Sequence, residues 1–364
     1  MFFYLSFLRP PPVECAASSS SIPITPQIAN DLRTELYQDD IDIMYTWLSP
    51  ARAPTPARKL TTWREGNAYK PLEVPLPPGM RVGDELVLGL HVGGGGAVCS
   101  IENPDTVGRT PLPVRSAPIR VVKRPTGTGD KKQEIVERTF YLGDKVPPVR
   151  VREQTSFDLD KKMWDSGLGL SSWLVNLLRM DPSVGEDALV GRVRECLNNT
   201  ECHILELGTG TGFVSLMLYA LLASLPSSRA RILATDLPSA LPLIEHNIAS
   251  VKLKSPSDSV SLDGAVLDWD EPSISSTAHT PDVVVMADVT YNTAAFPSLI
   301  STLERLAPPH VLMGYKERDP AERELWRLLE ESQLRMKLVR VGEVGGAGGA
   351  PVEVWVGCRA VEDL

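Results

Sequence analysis

The sequence is poor in the residues that build disulfide frameworks and metal centres. Its 364 residues include five cysteines and five histidines. The cysteines form no CxxC pair and the histidines no HExxH spacing, so we expect no metal site and a reducing compartment. The net charge of -9 disfavours binding to a nucleic acid backbone. We therefore expect a cytoplasmic protein, with the nucleus as the alternative.

Long apolar runs are missing as well. The opening run ends at Leu8, before Arg9, and no positive segment precedes it, so we expect no signal peptide. No later stretch approaches the ~20 apolar residues that span a bilayer. We expect no membrane partner and, because nothing in the sequence indicates an oligomer, a monomer.

Proline is not scarce, but it is unevenly distributed. Nineteen of the 31 prolines precede residue 151. We predict a disordered N-terminus over residues 1–25 and a Pro/Gly-rich N-terminal extension over 26–135, followed by a regular domain over 136–364. Within the extension, apolar spacing predicts one helix over 28–48, and the runs at 85–92 and 117–123 predict short strands.

After residue 136, short apolar strands alternate with longer helices. The strands are HILELG, RILATD, GAVLDW, DVVVMAD and HVLMGY, and a last strand, PVEVWVGCR, follows a Gly-rich turn. This alternation predicts an α/β fold: a doubly wound, mostly parallel sheet covered on both faces, whose last strand is antiparallel. Ligands bind such sheets outside the carboxyl ends of the strands, so the residues that follow each strand are the site candidates.

The first strand leads into a glycine-rich turn, Glu206-Leu207-Gly208-Thr209-Gly210-Thr211-Gly212. Glycines at these positions allow a sharp turn and a close approach of the backbone to a ligand. The turn lacks the Lys of a P-loop and the spacing of the dinucleotide motif GxGxxG. Acidic-x-Gly-x-Gly-x-Gly is the S-adenosylmethionine version, although a strand–helix turn without a ligand stays open. The cofactor-binding candidates here are Glu206, Gly208, Thr209, Gly210 and Gly212.

Carboxylates follow the next three strands. Asp236 is predicted to accept both ribose hydroxyls, or to cap the following helix. Asp268 and Trp269 are predicted to hold the adenine, or to be a strand-end carboxylate beside a core tryptophan. Asp288 and Tyr291 are placed to face an incoming amine together, and helix capping is again the alternative for Asp288.

These segments together resemble a known family. From about residue 136 to 360 the sequence looks like the class I, seven-β-strand S-adenosylmethionine-dependent methyltransferases. That resemblance implies a Rossmann-like sheet of seven strands. Within them it resembles family 16, the protein-lysine methyltransferases often labelled nicotinamide N-methyltransferase-like. The hallmark Asp-x-x-Tyr is matched by Asp288 and Tyr291. The Trp-Asp/Glu-x-Ala/Gly segment, which lies over the cofactor in that family, is matched by Trp164, Asp165 and Gly167.

The resemblance implies S-adenosylmethionine as the cofactor and a lysine side chain of a protein substrate as the methyl acceptor. Asp288 would orient the amine and Tyr291 would narrow its channel. Trp164 and Ala287 join the cofactor-binding candidates. Trp164 or Tyr315 would hold the ammonium by a cation–π contact, unless they pack in the core.

The segment YKERDPAERELW also belongs to the resemblance. Its charges at helical spacing favour a solvated helix face. Lys316, Glu317 and Arg318 are candidates for target recognition, because the corresponding stretch of the family lies near the substrate side.

Three other functions stay open from the sequence. The chain is alternatively a methyltransferase for a small molecule or another protein residue, since the cofactor-binding half of the domain is the same for all of these substrates. It is alternatively a non-catalytic module that binds the cofactor or a partner. A nicotinamide-dependent oxidoreductase is disfavoured by the glycine spacing.

Overall fold

A computed structural model of the protein describes residues 1–126, 132–155, 159–179, 187–198, 201–226, 228–271 and 280–359. The chain divides into two units. The first consists of Met1–Cys99, Gly108–Phe140 and Arg150–Asp158, and the second consists of Ser100–Val107, Tyr141–Val149 and Leu159–Leu364.

The first unit is built mainly from short β-strands. The first twelve strands of the chain are β1 (Tyr4–Arg9), β2 (Glu14–Ala16), β3 (Ser21–Ala29), β4 (Ile41–Leu48), β5 (Arg58–Trp63), β6 (Leu72–Pro75), β7 (Glu85–Val92), β8 (Cys99–Ser100), β9 (Val114–Ser116), β10 (Ile119–Val122), β11 (Ile135–Tyr141) and β12 (Val149–Gln154). Strands β1, β3 and β6 form an antiparallel sheet in the order β1–β3–β6. The others belong to a larger sheet, in which β4 lies between β5 and β7.

Two sequence predictions for this unit are wrong. Residues 1–25, expected to be disordered, contain β1, β2 and the start of β3, and the helix expected over 28–48 is replaced by the end of β3 and by β4. In β4 the buried side chains Ile43, Tyr45 and Trp47 alternate with more exposed ones, which is the period of a strand. Ile43 and Trp47 are four residues apart and fit a helix equally well, and only the buried Tyr45 between them distinguishes the two periods. The predicted boundary at residue 136 also differs, because residues 136–140 and 150–155 belong to the first unit.

The second unit contains the helices and the remaining strands. The helices are α1 (Asp165–Arg179), α2 (Ala188–Leu197), α3 (Phe213–Ala223), α4 (Leu241–Lys254), α5 (Phe296–Leu306) and α6 (Glu324–Glu331). The strands are β13 (Cys202–Leu207), β14 (Ala230–Asp236), β15 (Val260–Val266), β16 (Val283–Ala287), β17 (His310–Tyr315), β18 (Met336–Val344) and β19 (Val352–Arg359). No helix in the described part of the chain is long and apolar enough to cross a membrane.

The seven strands of the second unit form one sheet in the order β15–β14–β13–β16–β17–β19–β18. The five from β15 to β17 pair in parallel, and β19 runs antiparallel to both of its neighbours. The predicted fold class, a doubly wound and mostly parallel sheet with an antiparallel last strand, is confirmed.

Helices cover both faces of this sheet, and this explains why its central strands are apolar along their length. On one face Met286 and Met313 pack in a core cluster with Phe296 of α5. On the other face α1 comes very close to β17, since a Cβ on Gly314 would lie 2.7 Å from the carbonyl oxygen of Ser166. The N-terminus of α1 is thereby held against the carboxyl end of β17.

Candidate active site

A cleft of about 280 Å³ opens at the carboxyl ends of the parallel strands in the second unit. It is lined by residues that follow β13, β14, β15 and β16, and by the segment that leads into α1. Of the residues predicted from the sequence, those that line it are Trp164, Glu206, Gly208, Thr209, Gly210, Asp236, Asp268, Trp269, Ala287, Asp288 and Tyr291. Among the predicted cofactor-binding residues Gly212 is the exception, and it forms the N-cap of α3.

The turn after β13 requires its glycines. Gly208 and Gly210 have φ of +64° and +58°, in the left-handed region that side chains disfavour. A Cβ on Gly208 would lie 3.2 Å from Val289 and 3.5 Å from the Trp269 ring. The backbone of the turn therefore forms a cradle in which positive φ disfavours side chains at both positions, and at Gly208 a Cβ would also be crowded by Val289.

Glu206, at the end of β13, is almost completely buried and strongly hydrogen-bonded. Its Oε2 accepts from the Thr209 hydroxyl at 2.6 Å, from the Ser215 amide at 2.9 Å and from the Ser215 hydroxyl. Burial raises the pKa of Glu206 to about 7, although the hydrogen bonds from Ser215 and Thr209 oppose this shift. The carboxyl group thus fixes the turn to the first turn of α3.

Asp236, at the end of β14, does not cap the following helix. The N-cap of α4 is Ala240, and no side chain bonds to the helix end there. The two carboxylate oxygens of Asp236 accept instead from the amides of Gly210 at 2.6 Å and Leu237 at 2.7 Å. Partial burial raises the pKa of Asp236, and the nearby Asp160 adds to the effect. Asp236 therefore lies directly beside the glycine turn, on the wall of the cleft.

Asp268 and Trp269 follow β15 and are both half-buried. The Asp268 carboxylate accepts from the amide of Asp270 at 3.0 Å. Trp269 packs at the edge of the core on the α5 face. The two interpretations of Trp269, contact with the adenine and packing in the core, are thus compatible, because its side chain contributes both to the core and to the cleft wall.

Asp288 follows β16 and is fixed by two elements distant in the sequence. Its Oδ2 accepts from the Ser166 amide in the first turn of α1 at 3.0 Å, and its Oδ1 accepts from Arg318 at 2.8 Å. It does not cap the turn that follows it, since Asn292 does so. The residue has a φ of +57°, so the chain turns sharply where the carboxylate meets the cleft.

Tyr291 is at the mouth of the cleft and 59% exposed. Desolvation raises the pKa of its phenol, and the negative charges of Asp236 and Asp160 raise it further. The phenol is therefore neutral near pH 7 and can donate a hydrogen bond, but it is not suited to remove a proton.

The two aromatic candidates for holding an ammonium group differ in position. Trp164 lines the cleft, and its ring is approached by two cations of the chain itself, Lys162 with Nζ at 4.3 Å from the ring centroid and Arg318 with Cζ at 5.1 Å. Tyr315 is only 1% exposed and packs edge-on against Trp326, with Arg323 over its ring. Tyr315 is not among the residues that line the cleft, and the core interpretation applies to it.

The expected solvated helix face applies only to the end of the segment after β17, where α6 begins at the exposed Glu324, and not to Lys316 and Arg318. Lys316 is buried and forms an ion pair with Asp165 at 2.7 Å, and Arg318 is bound to Asp288. Glu317 pairs with Arg323 at 3.0 Å and is the most exposed of the three candidates for target recognition. Sequence spacing gives no signal for the partners of Lys316 and Arg318, because they are about 150 and 30 residues away.

The cleft fits S-adenosylmethionine. The glycine cradle gives the backbone access that a ligand between β13 and α3 needs. Carboxylates at the ends of β14 and β15 can accept hydrogen bonds from a ribose diol and an exocyclic amine. The cofactor is a cation at its sulfonium, and the six acidic side chains on the cleft wall suit a positive ligand: Asp160, Glu206, Asp236, Asp268, Asp270 and Asp288.

This fold and cleft define a class I methyltransferase whose cofactor is S-adenosylmethionine. A sequence model of the lysine methyltransferase family matches residues 144–332, and the chain belongs to that family.

The most similar relatives include two protein-lysine N-methyltransferases. EFM6 of Saccharomyces cerevisiae is 28% identical over 227 residues, which cover 58% of this chain and 84% of the yeast protein. EEF2KMT of Homo sapiens is 29% identical over 175 residues, which cover 43% of this chain and 45% of the human protein. Among solved structures, a methyltransferase from Aquifex aeolicus aligns with a TM-score of 0.33 and 21% identity, over 52% of this chain and 98% of its own.

Proposed function

We propose that the second unit transfers a methyl group from S-adenosylmethionine to a lysine side chain of a protein substrate. The observation that carries this proposal is the Asp288 carboxylate, held on the wall of the cleft at the carboxyl end of β16 in a chain of the lysine methyltransferase family. The cofactor supplies a methyl group already activated on a positive sulfur. The protein then has to align the two reactants and to exclude water.

The residues around the glycine turn are proposed to hold the adenosine part. Asp236 accepts the ribose hydroxyls, Asp268 accepts the exocyclic amine of the adenine, and Trp269 packs beside the ring. Asp236 is already held in place, because its oxygens accept from the Gly210 amide of the glycine turn and from the amide of the next residue, Leu237. Each oxygen has a second lone pair for a ligand hydroxyl.

Asp288 is proposed to orient the lysine nitrogen. A lysine with a pKa of about 10.4 must lose a proton before it can attack, so a strong isolated negative charge beside it would hinder the reaction. Arg318 is paired with Asp288 at 2.8 Å and offsets part of its charge. The carboxylate can then accept a hydrogen bond from the amine while it stabilises the ammonium less. Tyr291, neutral and at the mouth, narrows the approach to the nitrogen.

The oligomeric state, the class of substrate and the cellular location are part of the same proposal. We propose that the protein acts as a monomer, on protein and not on nucleic acid, in the cytoplasm. The net charge of -9 supports the choice of a protein substrate, and the free cysteines of the described chain support a reducing compartment. Sedimentation of the purified chain tests whether it is a monomer, and imaging of a tagged copy in cells tests its location.

One experiment tests the function. The purified chain is incubated with a cell lysate and S-adenosylmethionine that carries a radiolabelled methyl group, and the proteins are separated on a gel. A labelled band that yields methyllysine after acid hydrolysis supports the proposal. Label in a small molecule or another amino acid supports the alternative methyltransferases, and the absence of any transfer supports a non-catalytic module. Calorimetry with S-adenosylmethionine and with NAD separates all of these from an oxidoreductase.

A further inference from the structure

One buried carboxyl group beyond the carboxyl end of β17 takes no part in the proposed chemistry. Glu322 is 2% exposed and is not among the described residues that line the cleft. A carboxyl group buried in this way costs free energy unless hydrogen bonds replace its lost hydration. The partners of Glu322 therefore indicate what its burial achieves.

Glu322 connects the loop that leaves β16 to the loop that leaves β17. Its Oε2 accepts from the hydroxyl of Thr290 at 3.3 Å, and its carboxylate also accepts from the backbone amide of Arg318. Thr290 is 3% exposed, so its bond to Glu322 is shielded from water. Burial raises the pKa of Glu322, and the bonds from Arg318 and Thr290 oppose this shift. Both loops are thus fixed to one carboxyl group.

Each of these loops carries one member of the ion pair at the cleft. Thr290 lies between Asp288 and Tyr291 in the loop after β16. In the loop after β17, the guanidinium of Arg318 binds the Asp288 carboxylate at 2.8 Å. The backbone at Asp288 has a φ of +57°, which residues other than glycine rarely adopt and which surrounding contacts must hold. The bond between Thr290 and Glu322 is a contact of this kind.

Glu322 is itself held in place by its own segment. It lies in a short 3₁₀ helix, Pro320–Arg323, and its amide donates to the carbonyl of the N-cap residue Asp319 at 3.0 Å. Arg323, the next residue, forms an ion pair with Glu353 of β19 at 2.9 Å. The helix is thereby attached to the sheet, so the Glu322 carboxylate does not need to be ordered when a ligand binds.

We propose that Glu322 is a positioning residue for methyl transfer, which fixes the loop of Asp288 through the Thr290 hydroxyl. The amide of Arg318, bound to the same carboxylate, keeps the two loops in a fixed relative position. This inference rests on the proposed function, because it takes Asp288 as the group that orients the lysine nitrogen. Loss of the contact should therefore lower the rate of transfer at saturating cofactor and leave the binding of the adenosine part unchanged.

The test separates rate from binding in the full-length chain. The initial rate of radiolabel transfer into lysate protein, measured over a range of S-adenosylmethionine concentrations, gives the KM for the cofactor and the rate at saturation. Calorimetry measures the affinity for S-adenosylhomocysteine. The variants are Thr290→Val, Thr290→Ser, Glu322→Leu and the double variant Thr290→Val/Glu322→Leu. Thr139→Val is the matched control, since it removes a buried hydroxyl that makes no hydrogen bond within the described part of the chain.

We expect Thr290→Val and Glu322→Leu each to lower the rate at saturation by about tenfold or more, because the loop of Asp288 loses its anchor. The KM for S-adenosylmethionine and the affinity for S-adenosylhomocysteine should change by less than about twofold. Thr290→Ser keeps the hydroxyl and should stay within a few-fold of the unchanged chain. The double variant should lose no more than the more affected single variant, since both substitutions break the same bond. Thr139→Val should match the unchanged chain.

Full transfer by Thr290→Val would overturn the inference, and so would a loss of cofactor affinity as large as the loss of rate. If Glu322→Leu does not fold, the comparison of Thr290→Val with Thr290→Ser still decides, because these variants differ from the unchanged chain by very few atoms. If the unchanged chain binds S-adenosylhomocysteine but transfers no label to protein, the proposed function fails, and this inference fails with it.

Discussion

Asp288 and Arg318 form an ion pair at 2.8 Å in which the two side chains are only 7% and 12% exposed. The Asp288 carboxylate is therefore not exposed to solvent before a substrate binds. It is already fixed by a guanidinium and by the first turn of α1. A buried charge pair of this kind is costly to break from one side, because the remaining charge is left without a partner.

The first prediction concerns Asp288 itself. Asp288→Asn replaces one of the two carboxylate oxygens with an amide nitrogen, which donates and cannot accept a hydrogen bond from the substrate amine. We expect methyl transfer to fall by about a hundredfold, because an amine misplaced by about 1 Å reacts that much more slowly. Steady-state transfer to the identified substrate measures it. Asp282→Asn is the matched control, since Asp282 directly precedes β16 at its other end and accepts from the amide of His203. Full activity of Asp288→Asn would exclude the proposed role.

The second prediction concerns the ion pair of Asp165 and Lys316, which are 0% and 7% exposed. Lys316→Met should lower the free energy of unfolding of the second unit by about 3–5 kcal/mol, because it strands a buried carboxylate. The double variant Asp165→Asn/Lys316→Met should be less destabilised than the two single variants added together. Urea denaturation measures each variant.

A second buried ion pair serves as the comparison for the Asp165 and Lys316 variants. Arg138 and Glu153 of the first unit are 2.6 Å apart and nearly as inaccessible. Arg138→Met should destabilise the first unit and leave the affinity for S-adenosylhomocysteine unchanged.

If Lys316→Met altered the choice of target protein at unchanged stability, Lys316 would be the recognition residue that its charge suggested.

The third prediction concerns Asp236. Asp236→Ala removes the acceptor for the Gly210 and Leu237 amides and the proposed ribose contact, so affinity for S-adenosylhomocysteine should fall about tenfold to a hundredfold, the usual effect of losing a hydrogen bond to a charged group. Calorimetry measures it. Asp263→Ala, at an exposed carboxylate of β15 paired with Lys252, is the control and should have no effect. Unchanged binding in Asp236→Ala would remove Asp236 from the site.

The fourth prediction follows from the pKa of Glu206, which burial raises from 4.5 to about 7. Between these two values the folded chain binds a proton that the unfolded chain has released, so stability falls as the pH rises from about 4.5 to about 7 and is constant above. The difference is roughly 3 kcal/mol for a shift of this size. Glu206→Gln resembles the protonated form and should remove this part of the pH dependence.

Urea denaturation at several pH values between 4 and 8 distinguishes the outcomes. Glu245→Gln, at an exposed position of α4, is the control and should follow the unchanged chain. If Glu206→Gln shows the same slope as the unchanged chain across this interval, then Glu206 is ionised in the folded state throughout.

Local signals in the sequence were sufficient for the five parallel strands of the second unit, whereas β18 and α2 were not predicted. The strands there are runs such as Val283–Ala287, too apolar for any place other than the centre of a covered sheet. Parallel strands present their carboxyl ends at one edge, so the glycine turn, Asp236, Asp268 and Asp288 could be placed together from their order alone. The same reasoning failed at residues 28–48, where Ile43 and Trp47 satisfy both periods and tertiary pairing selected the strand.

By itself, the sequence determined the fold of the second unit, the family and the side of the sheet on which the cleft opens. The fold and the side of the sheet follow from periodicity and from residues close together in the chain, and the family follows from the resemblance of motifs such as Asp288 and Tyr291. Only the tertiary structure decided which cations pair with the carboxylates near the cleft: Lys316 with Asp165 and Arg318 with Asp288. A long charged side chain can reach partners in many directions. Its position in the sequence does not show which carboxylate will lie within 3 Å of it once the helices pack on the sheet. The excess of acidic residues on the cleft wall became visible only when the wall was assembled.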